Sequence, residues 1–266
     1  NIVSGRIDLT LKNNNAIQLE NASMTVHTKT LFLARKARAI EHAVEYLEFS
    51  SGTIRAGRTE INMADVIYTG NKNGSLLAKK MQVTDRDNRM NIMAENAAVD
   101  DILTDEETGD ITATGISWDK ADVRLILPDK KETAGKEPTV ELKDLNGANT
   151  KVSINAGSTS IRSFISRVKL EGLIAAPGKP VWLKNPLLSG ADFEMKNSNT
   201  IFTVQKFNAA DKQLSTMTNL VYNHTNQENK TSLKIPALSI IPDINEMLNG
   251  RYSMEELILE KPVLTA

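Results

Sequence analysis

The sequence predicts an all-β protein, an elongated, mostly antiparallel and repetitive sheet with one or two short helices. Three observations lead to this prediction. Apolar and polar residues alternate with a period of two, clusters of Asn, Asp and Gly interrupt the alternating stretches, and a short motif recurs about every 40 residues. The pattern leaves open whether the sheet is solenoid-like, open and twisted, or a β-sandwich.

Alternation marks the strands in order along the chain. It is clearest in Ile7–Leu11, Ile61–Met63, Met90–Ile92, Val123–Leu127, Val140–Leu142 and Leu233–Ile235. This period is typical of half-buried antiparallel strands with one polar face. Polar clusters predict turns between the strands, among them Ser51-Gly52, Asp85–Asn88, Asn146-Gly147 and Asn197–Asn199.

Residues 30–49 allow two interpretations. Their apolar residues have helical spacing, at Leu33, Ala37, Ile40, Ala43, Val44 and Leu47. However, Phe32–Ala37 aligns with Leu76–Met81, and that second stretch is strand-like. We therefore favour two strands here, with a helix as the alternative.

A short helix is predicted at Asp243–Leu248. Asp243 can cap its first turn, Glu246 can complete a capping box, and Gly250 can end it.

The recurring motif is a basic residue followed by apolar-x-apolar. Its five copies are Lys36–Ala39, Lys80–Val83, Lys120–Val123, Arg167–Leu170 and Lys206–Ala209. We interpret it as a marker of successive strand groups along one sheet, with the basic residue facing solvent beside two inward residues.

The best candidate boundary is the charged, proline-flanked stretch 128–138. It would separate an N-terminal block of strands, 1–127, from a C-terminal block, 139–266. The alternative is a long hairpin loop within one continuous domain.

Composition narrows the classes of function. The 266 residues include 32 Lys and Arg against 33 Asp and Glu, a balance that argues against a dedicated nucleic-acid binder. The absence of cysteine excludes disulfides and thiol catalysis. No apolar run approaches the roughly 18–20 residues of a membrane span. Because the chain begins at Asn1 within an apparent strand, we expect an excised fragment or a mature product.

No motif for catalysis or for cofactor binding is present. His27, His42 and His224 lack metal-ligand spacing, and Asp100–Asp110 lacks the alternating ligands and central glycine of an EF-hand. Trp118 and Trp182 could stack on a sugar, but isolated tryptophans more often pack in a core. We expect no catalytic residue, no cofactor and no metal.

The candidate site is an apolar sheet face. Alternating residues would line it, namely Ile61, Met63, Met90, Ile92, Val123 and Leu125. If no second sheet covers these residues, the face forms a groove for apolar ligands or partner strands. The alternative is that the face closes on itself as an ordinary core.

The C-terminal stretch Leu238–Val263 has the pattern of a strand, a short helix, a glycine and two strands that end in Pro262-Val263. It resembles the recurring element of the AsmA-like family, large envelope proteins of Gram-negative bacteria related to the translocation-assembly TamB proteins. Gly52–Ala56 and Gly74–Val83 are similar to the family's strand phrases G-x-I and L-x-A-x-x-L-x-V.

This resemblance implies an elongated, open, twisted sheet in the periplasm, in a parent protein anchored in the inner membrane outside this sequence. It implies roles in outer-membrane homeostasis and phospholipid movement, and the family has no catalytic residues to carry over. We therefore expect a non-enzymatic segment that binds lipid acyl chains or envelope proteins. The alternative is an extracellular or periplasmic β-sandwich or β-helix module that binds polysaccharide or protein.

Overall fold

The computed structural model describes residues 2–10, 16–33, 36–56, 58–70, 75–85, 87, 89–101, 103–104, 111–127, 140–175, 179–226, 229–251 and 253–265. It describes the backbone alone at residues 2–4, 26–33, 36–44, 56, 103–104, 111–112, 140 and 175. The stretch 128–138 lies outside the described residues, and the division into 1–127 and 139–266 stays a prediction.

The described residues form strands and one short helix, which confirms the all-β prediction. The strands are β1 (Ile2–Thr10), β2 (Ala16–Leu33), β3 (Lys36–Ala56), β4 (Thr59–Thr69), β5 (Ser75–Asp85), β6 (Met90–Asp100), β7 (Leu103–Thr104), β8 (Ile111–Ala113), β9 (Gly115–Trp118), β10 (Lys120–Leu127), β11 (Val140–Leu142), β12 (Leu145–Ala156), β13 (Thr159–Leu170), β14 (Gly172–Ala175), β15 (Trp182–Lys184), β16 (Leu187–Lys196), β17 (Thr200–Ala210), β18 (Ser215–Thr225), β19 (Lys230–Pro242), β20 (Met254–Glu260) and β21 (Val263–Thr265). The helix, α1, spans Ile244–Leu248.

One sheet of 16 strands dominates the molecule, and its order follows the chain. From edge to edge it runs β1-β2-β3-β4-β5-β6-β10-β12-β13-β16-β17-β18-β19-β20. β9 continues the line of β10, and β21 continues that of β20. Neighbours are antiparallel except that β12 runs parallel to β9 and β10. A hairpin joins antiparallel strands, so the parallel strands β10 and β12 need a longer connection. This connection leads from the end of β10 back to the end of the sheet at which β12 begins, and β11 lies there.

The five remaining strands form a small sheet in the order β15-β14-β11-β8-β7. Each adjoins a strand of the large sheet in sequence: β7 follows β6, β8 precedes β9, β11 precedes β12, β14 follows β13 and β15 precedes β16. Two of the breaks carry a residue with positive φ, Asp101 at 49° and Asn185 at 47°. The small sheet therefore extends the central strands of the large sheet, and a short interruption separates each of its strands from the neighbouring strand of the large sheet.

Residues 30–33 and 36–49 belong to two paired strands, as the internal alignment predicts. The helical spacing arises from two register shifts in the pairing of β2 with β3. Opposite β2, the longer β3 carries one extra residue between Ala37 and Ala39 and another between Val44 and Tyr46. After each extra residue, the alternation of apolar and polar positions is displaced by one. The resulting apolar spacings of three and four residues resemble those of a helix.

The predicted short helix is present, but only part of its predicted cap forms. Asp243 Oδ1 accepts a hydrogen bond from the Glu246 N–H at 3.0 Å, and Gly250 follows the helix with φ +78°. The capping box is wrong, because the Glu246 carboxylate accepts from Arg251 at 3.3 Å instead. The Asp243 N–H donates to the Ser253 carbonyl at 3.0 Å.

Two predicted turns are wrong, because their glycines lie within strands, where an aromatic ring packs against the backbone. Ser51-Gly52 lies inside β3 and Asn146-Gly147 lies inside β12. An added Cβ on Gly52 would lie 2.5 Å from the Phe49 ring, and one on Gly147 would overlap the Trp118 ring. A ring that packs on the backbone excludes every side chain at such a position.

Two other predicted turns are confirmed at strand ends. Between β5 and β6, Asp85 Oδ1 accepts from the Met90 N–H at 2.9 Å. Between β16 and β17, Asn197 Oδ1 accepts from the N–H groups of Asn199 and Thr200 at 3.0 and 2.8 Å. Asn and Asp favour such positions because their side chains bond the nearby backbone.

The sheet is open, not folded into a compact globule. Its accessible surface is 17890 Å². A compact monomer of the same 29.3 kDa mass would expose about 11,500 Å². The extensive contacts between strands all join hydrogen-bonded neighbours.

Every second strand of the large sheet carries one residue in the left-handed conformation or, in the case of β20, is followed directly by one. Their φ values lie between 44° and 53°, at Asn21, Asp65, Asn96, Asn149, Asp192, Asn219 and Lys261. In β4 the buried residues Met63 and Val66 stand three apart around Asp65. The left-handed residue thus interrupts alternation while leaving the buried side chains on one face.

Four copies of the basic motif occupy equivalent places. Lys80, Lys120, Arg167 and Lys206 lie on β5, β10, β13 and β17, which are alternate strands of the large sheet. All four are exposed and precede residues that are buried or half-buried. The copy Lys36–Ala39 also lies on an alternate strand, β3, but at its start, whereas the cross-strand partners of Lys80 lead to Ser51, so it is not an equivalent repeat.

Candidate functional site

The six residues predicted for the apolar face lie on β4, β6 and β10. Val123 pairs with Ile92 and Leu125 with Met90. Ile61 and Met63 of β4 join them through Val83 and Met81 of β5. Opposite residues on neighbouring strands point to the same side, so all six share one face, here called the apolar face.

One row of the apolar face crosses the whole large sheet. Successive cross-strand partners connect one residue from each of its 14 strand positions. The row, called the lateral row, is Ile7, Leu19, Gly52, Met63, Met81, Ala94, Ala121, Thr150, Ile165, Gly190, Phe207, Met217, Leu238 and Leu259. At about 4.8 Å per strand it is roughly 60 Å long. Thr150 is its one polar side chain.

Thr150 does not make the middle of the row polar, because its hydroxyl is already bonded. It is 5% exposed, accepts a hydrogen bond from Trp118 Nε1 at 2.8 Å and donates to the Ala148 carbonyl at 3.2 Å. The Trp118 ring lies over Gly147, just as the Phe207 ring lies over Gly190. Aromatic rings therefore fill the places where glycine leaves the face without a side chain.

The apolar face contains a depression over β12, β13, β16, β17 and β18. It is a cavity of about 310 Å³. Its lining is Val152, Ile161, Ser163, Ile165, Leu188, Phe193, Phe202, Val204, Phe207, Ala209 and Met217. Phe193 meets Phe202 and Phe207 edge to face, with ring centroids 5.9 and 6.4 Å apart. The Ser163 hydroxyl donates to the Ala191 carbonyl at 3.4 Å, so no polar group is left open in this cavity.

The opposite side of the large sheet, here called the polar face, carries the ion pairs. Lys120 Nζ lies 2.8 Å from Glu95 Oε1, and Arg124 donates two hydrogen bonds of 3.0 Å to Asp122. The Arg124 hydrogen bond holds the pKa of the Asp122 carboxyl below its ordinary value, and the Lys151 charge acts in the same direction. These groups are largely exposed and contribute little to stability.

The remaining sequence candidates lie apart from the apolar face or pack within it. His224 Nδ1 is 3.1 Å from Thr200 Oγ1, while the side chains of His27 and His42 lie outside the described part of the chain. Asp101 Oδ2 accepts from Thr114 at 2.8 Å, and most of the stretch 102–110 beyond it is not described. Across the residues that the structure does describe, no three His, Cys, Asp or Glu side chains could jointly hold a metal ion.

Sequence reasoning missed most of the lateral row. Of the six predicted residues only Met63 belongs to the row, and the other five lie beside it on β4, β6 and β10. Left-handed residues and glycine interrupt simple alternation along the row. The missing signal is visible afterwards as apolar pairs three apart, such as Ala94 and Ala97 in β6 or Val204 and Phe207 in β17. A search for mixed spacings of two and three would have found them.

Comparison with models of protein families, with curated proteins and with solved structures found no match to the chain. Within the described ranges, none of the chain's helical structure has the length and apolar character to cross a bilayer.

Proposed function

We propose that this chain is a non-enzymatic segment of an AsmA-like envelope-biogenesis protein. It lies in the periplasm, within a parent that is anchored in the inner membrane, and serves outer-membrane homeostasis and phospholipid movement. Its apolar face binds lipid acyl chains or an envelope partner protein. Neither nucleic acid nor a cofactor takes part.

The observation that carries this proposal is the lateral row, an apolar line across the whole sheet that is buried at Leu19, Met63 and Ala94 and exposed at Leu259. Thirteen of its residues carry no polar side-chain group, and the hydroxyl of Thr150 is internally bonded. A hydrocarbon chain needs no polar partner, so a surface without open donors or acceptors suits it. Transfer of apolar area from water supplies about 25 cal/mol per Å².

The C-terminal resemblance adds support for the family. The described order of β19, α1, Gly250, β20 and β21 agrees with the strand, helix, glycine and two strands of the AsmA-like element. The open sheet also agrees with the architecture that the resemblance implies.

The test is whether the folded chain binds lipid through the apolar face. We expect phospholipid in organic extracts of the purified protein, detected by mass spectrometry, and a blue-shifted emission from a solvatochromic dye. Substitution of Ile92→Ser with Val123→Ser, a cross-strand pair on that face, should weaken dye binding at least about tenfold, a loss of roughly 1.4 kcal/mol.

The matched control is Asn91→Ser with Arg124→Ser, the adjacent cross-strand pair on the polar face of the same strands. It should leave dye binding unchanged. A protein that extracts without lipid and gives no dye response would refute the proposal. Loss of folding in the Ile92/Val123 variant alone would indicate a closed core.

The alternative, a module that binds polysaccharide or protein, is favoured by one observation. Trp182 on β15 is 45% exposed and could stack on a sugar ring. A glycan array tests it, because binding that disappears in Trp182→Ala would select this alternative.

A further inference from the structure

The polar face contains a depression that the proposed function does not use. It has a volume of about 640 Å³ and lies over β4, β5, β6, β10, β12 and β13. Volumes of about 300–1,000 Å³ are typical of small-molecule sites. One row of its lining, formed by cross-strand partners, is Asn62, Gln82, Met93, Asp122, Lys151 and Phe164. Along each strand these residues alternate with those of the apolar face, so their side chains lie on the opposite side of the sheet.

Positive charge exceeds negative charge around the depression. Lys80, Lys120 and Lys151 line it together with Glu95 and Asp122. Lys120 lies 2.8 Å from Glu95, and Asp122 accepts two hydrogen bonds of 3.0 Å from Arg124 just outside the lining. Lys80 also lies opposite Glu95, and Lys151 lies opposite Asp122. Four cations, the three lysines and Arg124, thus surround two carboxylates and leave a net positive charge of two for a ligand.

Two apolar side chains stand among these charges. Met93 is 38% exposed and Phe164 is half-buried, on the face that is otherwise polar. In the row, Asp122 and Lys151 separate them. A ligand with an apolar part can cover both, while its charged part reaches the lysines.

We propose that this depression binds a phosphate monoester that carries a small apolar group. Lys80, Lys120 and Lys151 surround the phosphate, and Met93 and Phe164 contact the apolar group. A doubly charged phosphate fits better than a carboxylate, since the cations around the depression exceed its carboxylates by two. Lysine ammonium groups bind phosphate as point charges, without the fixed geometry that arginine imposes.

The experiment uses phenyl phosphate as the probe and methionine methyl NMR as the readout. The Met93 signal reports on the depression, and the Met217 signal reports on the apolar face. We expect phenyl phosphate to shift Met93 and to leave Met217 unchanged. Inorganic phosphate should bind at least about tenfold more weakly, and salt near 1 M, where the screening length is about 3 Å, should abolish binding.

The double variant Lys80→Gln/Lys151→Gln should raise the Kd for phenyl phosphate at least about tenfold. The control Lys206→Gln removes an exposed basic residue of the same motif outside the depression and should leave the Kd unchanged. Equal affinity of wild type and the double variant, a shift confined to Met217, or no shift at all would overturn the proposal. Lipid binding at the apolar face would stand in each case.

Discussion

Trp118 shows how a single side chain completes the apolar face of this sheet. Its ring packs on Gly147 of the neighbouring β12, and its indole N–H neutralises the hydroxyl of Thr150 two residues beyond the adjacent Ala148. The ring thereby fills the space over the glycine and removes an open polar group from the lateral row. Trp118 therefore packs within the apolar face, and its geometry does not support stacking on a sugar.

The contact predicts a cost for Gly147→Ala. The added methyl group would overlap the Trp118 ring, so the ring must move, and crowding of this kind costs about 1–3 kcal/mol. Urea unfolding followed by circular dichroism measures the loss. In a Trp118→Leu background the same substitution should cost much less, because the ring is absent. Equal costs in both backgrounds would show that the ring is not the cause.

At the scale of the strand, the left-handed residues are the main departure from simple alternation. Asn96 has φ 51° in β6, and its Nδ2 donates to Asp119 Oδ2 at 2.8 Å. Of the seven such residues, six are Asn or Asp, the side chains that tolerate this conformation best. Asn96 itself has no partner in the pairing of β5 with β6, yet the partners on either side of it keep one register.

Asn96→Val should destabilise the protein, because a β-branched residue in the left-handed region is strained by about 1–2 kcal/mol. Asn96→Gly is the matched control: it loses the same hydrogen bond to Asp119 but adopts positive φ freely. We expect valine to lower the urea midpoint clearly more than glycine does. Equal midpoints would mean that the backbone at residue 96 relaxes out of the left-handed conformation.

The element scale also shows what sequence reasoning can reach. Period-two alternation predicts Ile61–Met63, Met90–Ile92 and Val123–Leu127 as strands and places them on one face, because that pattern is local. Gly52 and Gly147 mislead, since the rings that require them come from Phe49, three residues away, and from Trp118 on another strand. The depression on the polar face escapes prediction for a similar reason: it joins residues from six strands, which only the register brings together.

At the scale of the whole molecule, the open sheet limits stability. An unfolded chain of this mass exposes about 42,500 Å², so folding buries only about 58% of it, close to the fraction of a 60-residue domain. Any ligand that covers the apolar face adds to stability by mass action.

This shape predicts an unusually shallow denaturant dependence. The m-value scales with the surface exposed on unfolding, so it should be about four-fifths of that of a compact protein of equal length. Urea titrations of the lipid-free protein test this directly. An m-value equal to that of a compact 266-residue protein would indicate that the faces are covered in solution.

Left-handed residues occur in every second strand, so the repeating unit of the large sheet is a pair of strands. Strands can therefore be added to or removed from this protein only as whole hairpins. Insertion of one strand would place two strands with a left-handed residue, or two without one, side by side. It would also reverse the direction of every later strand in the sheet. Insertion of two strands restores both phase and direction and lengthens the lateral row by about 10 Å. Engineered versions could therefore be trimmed or extended in steps of one hairpin, with Asn or Asp kept at the same height in every second strand.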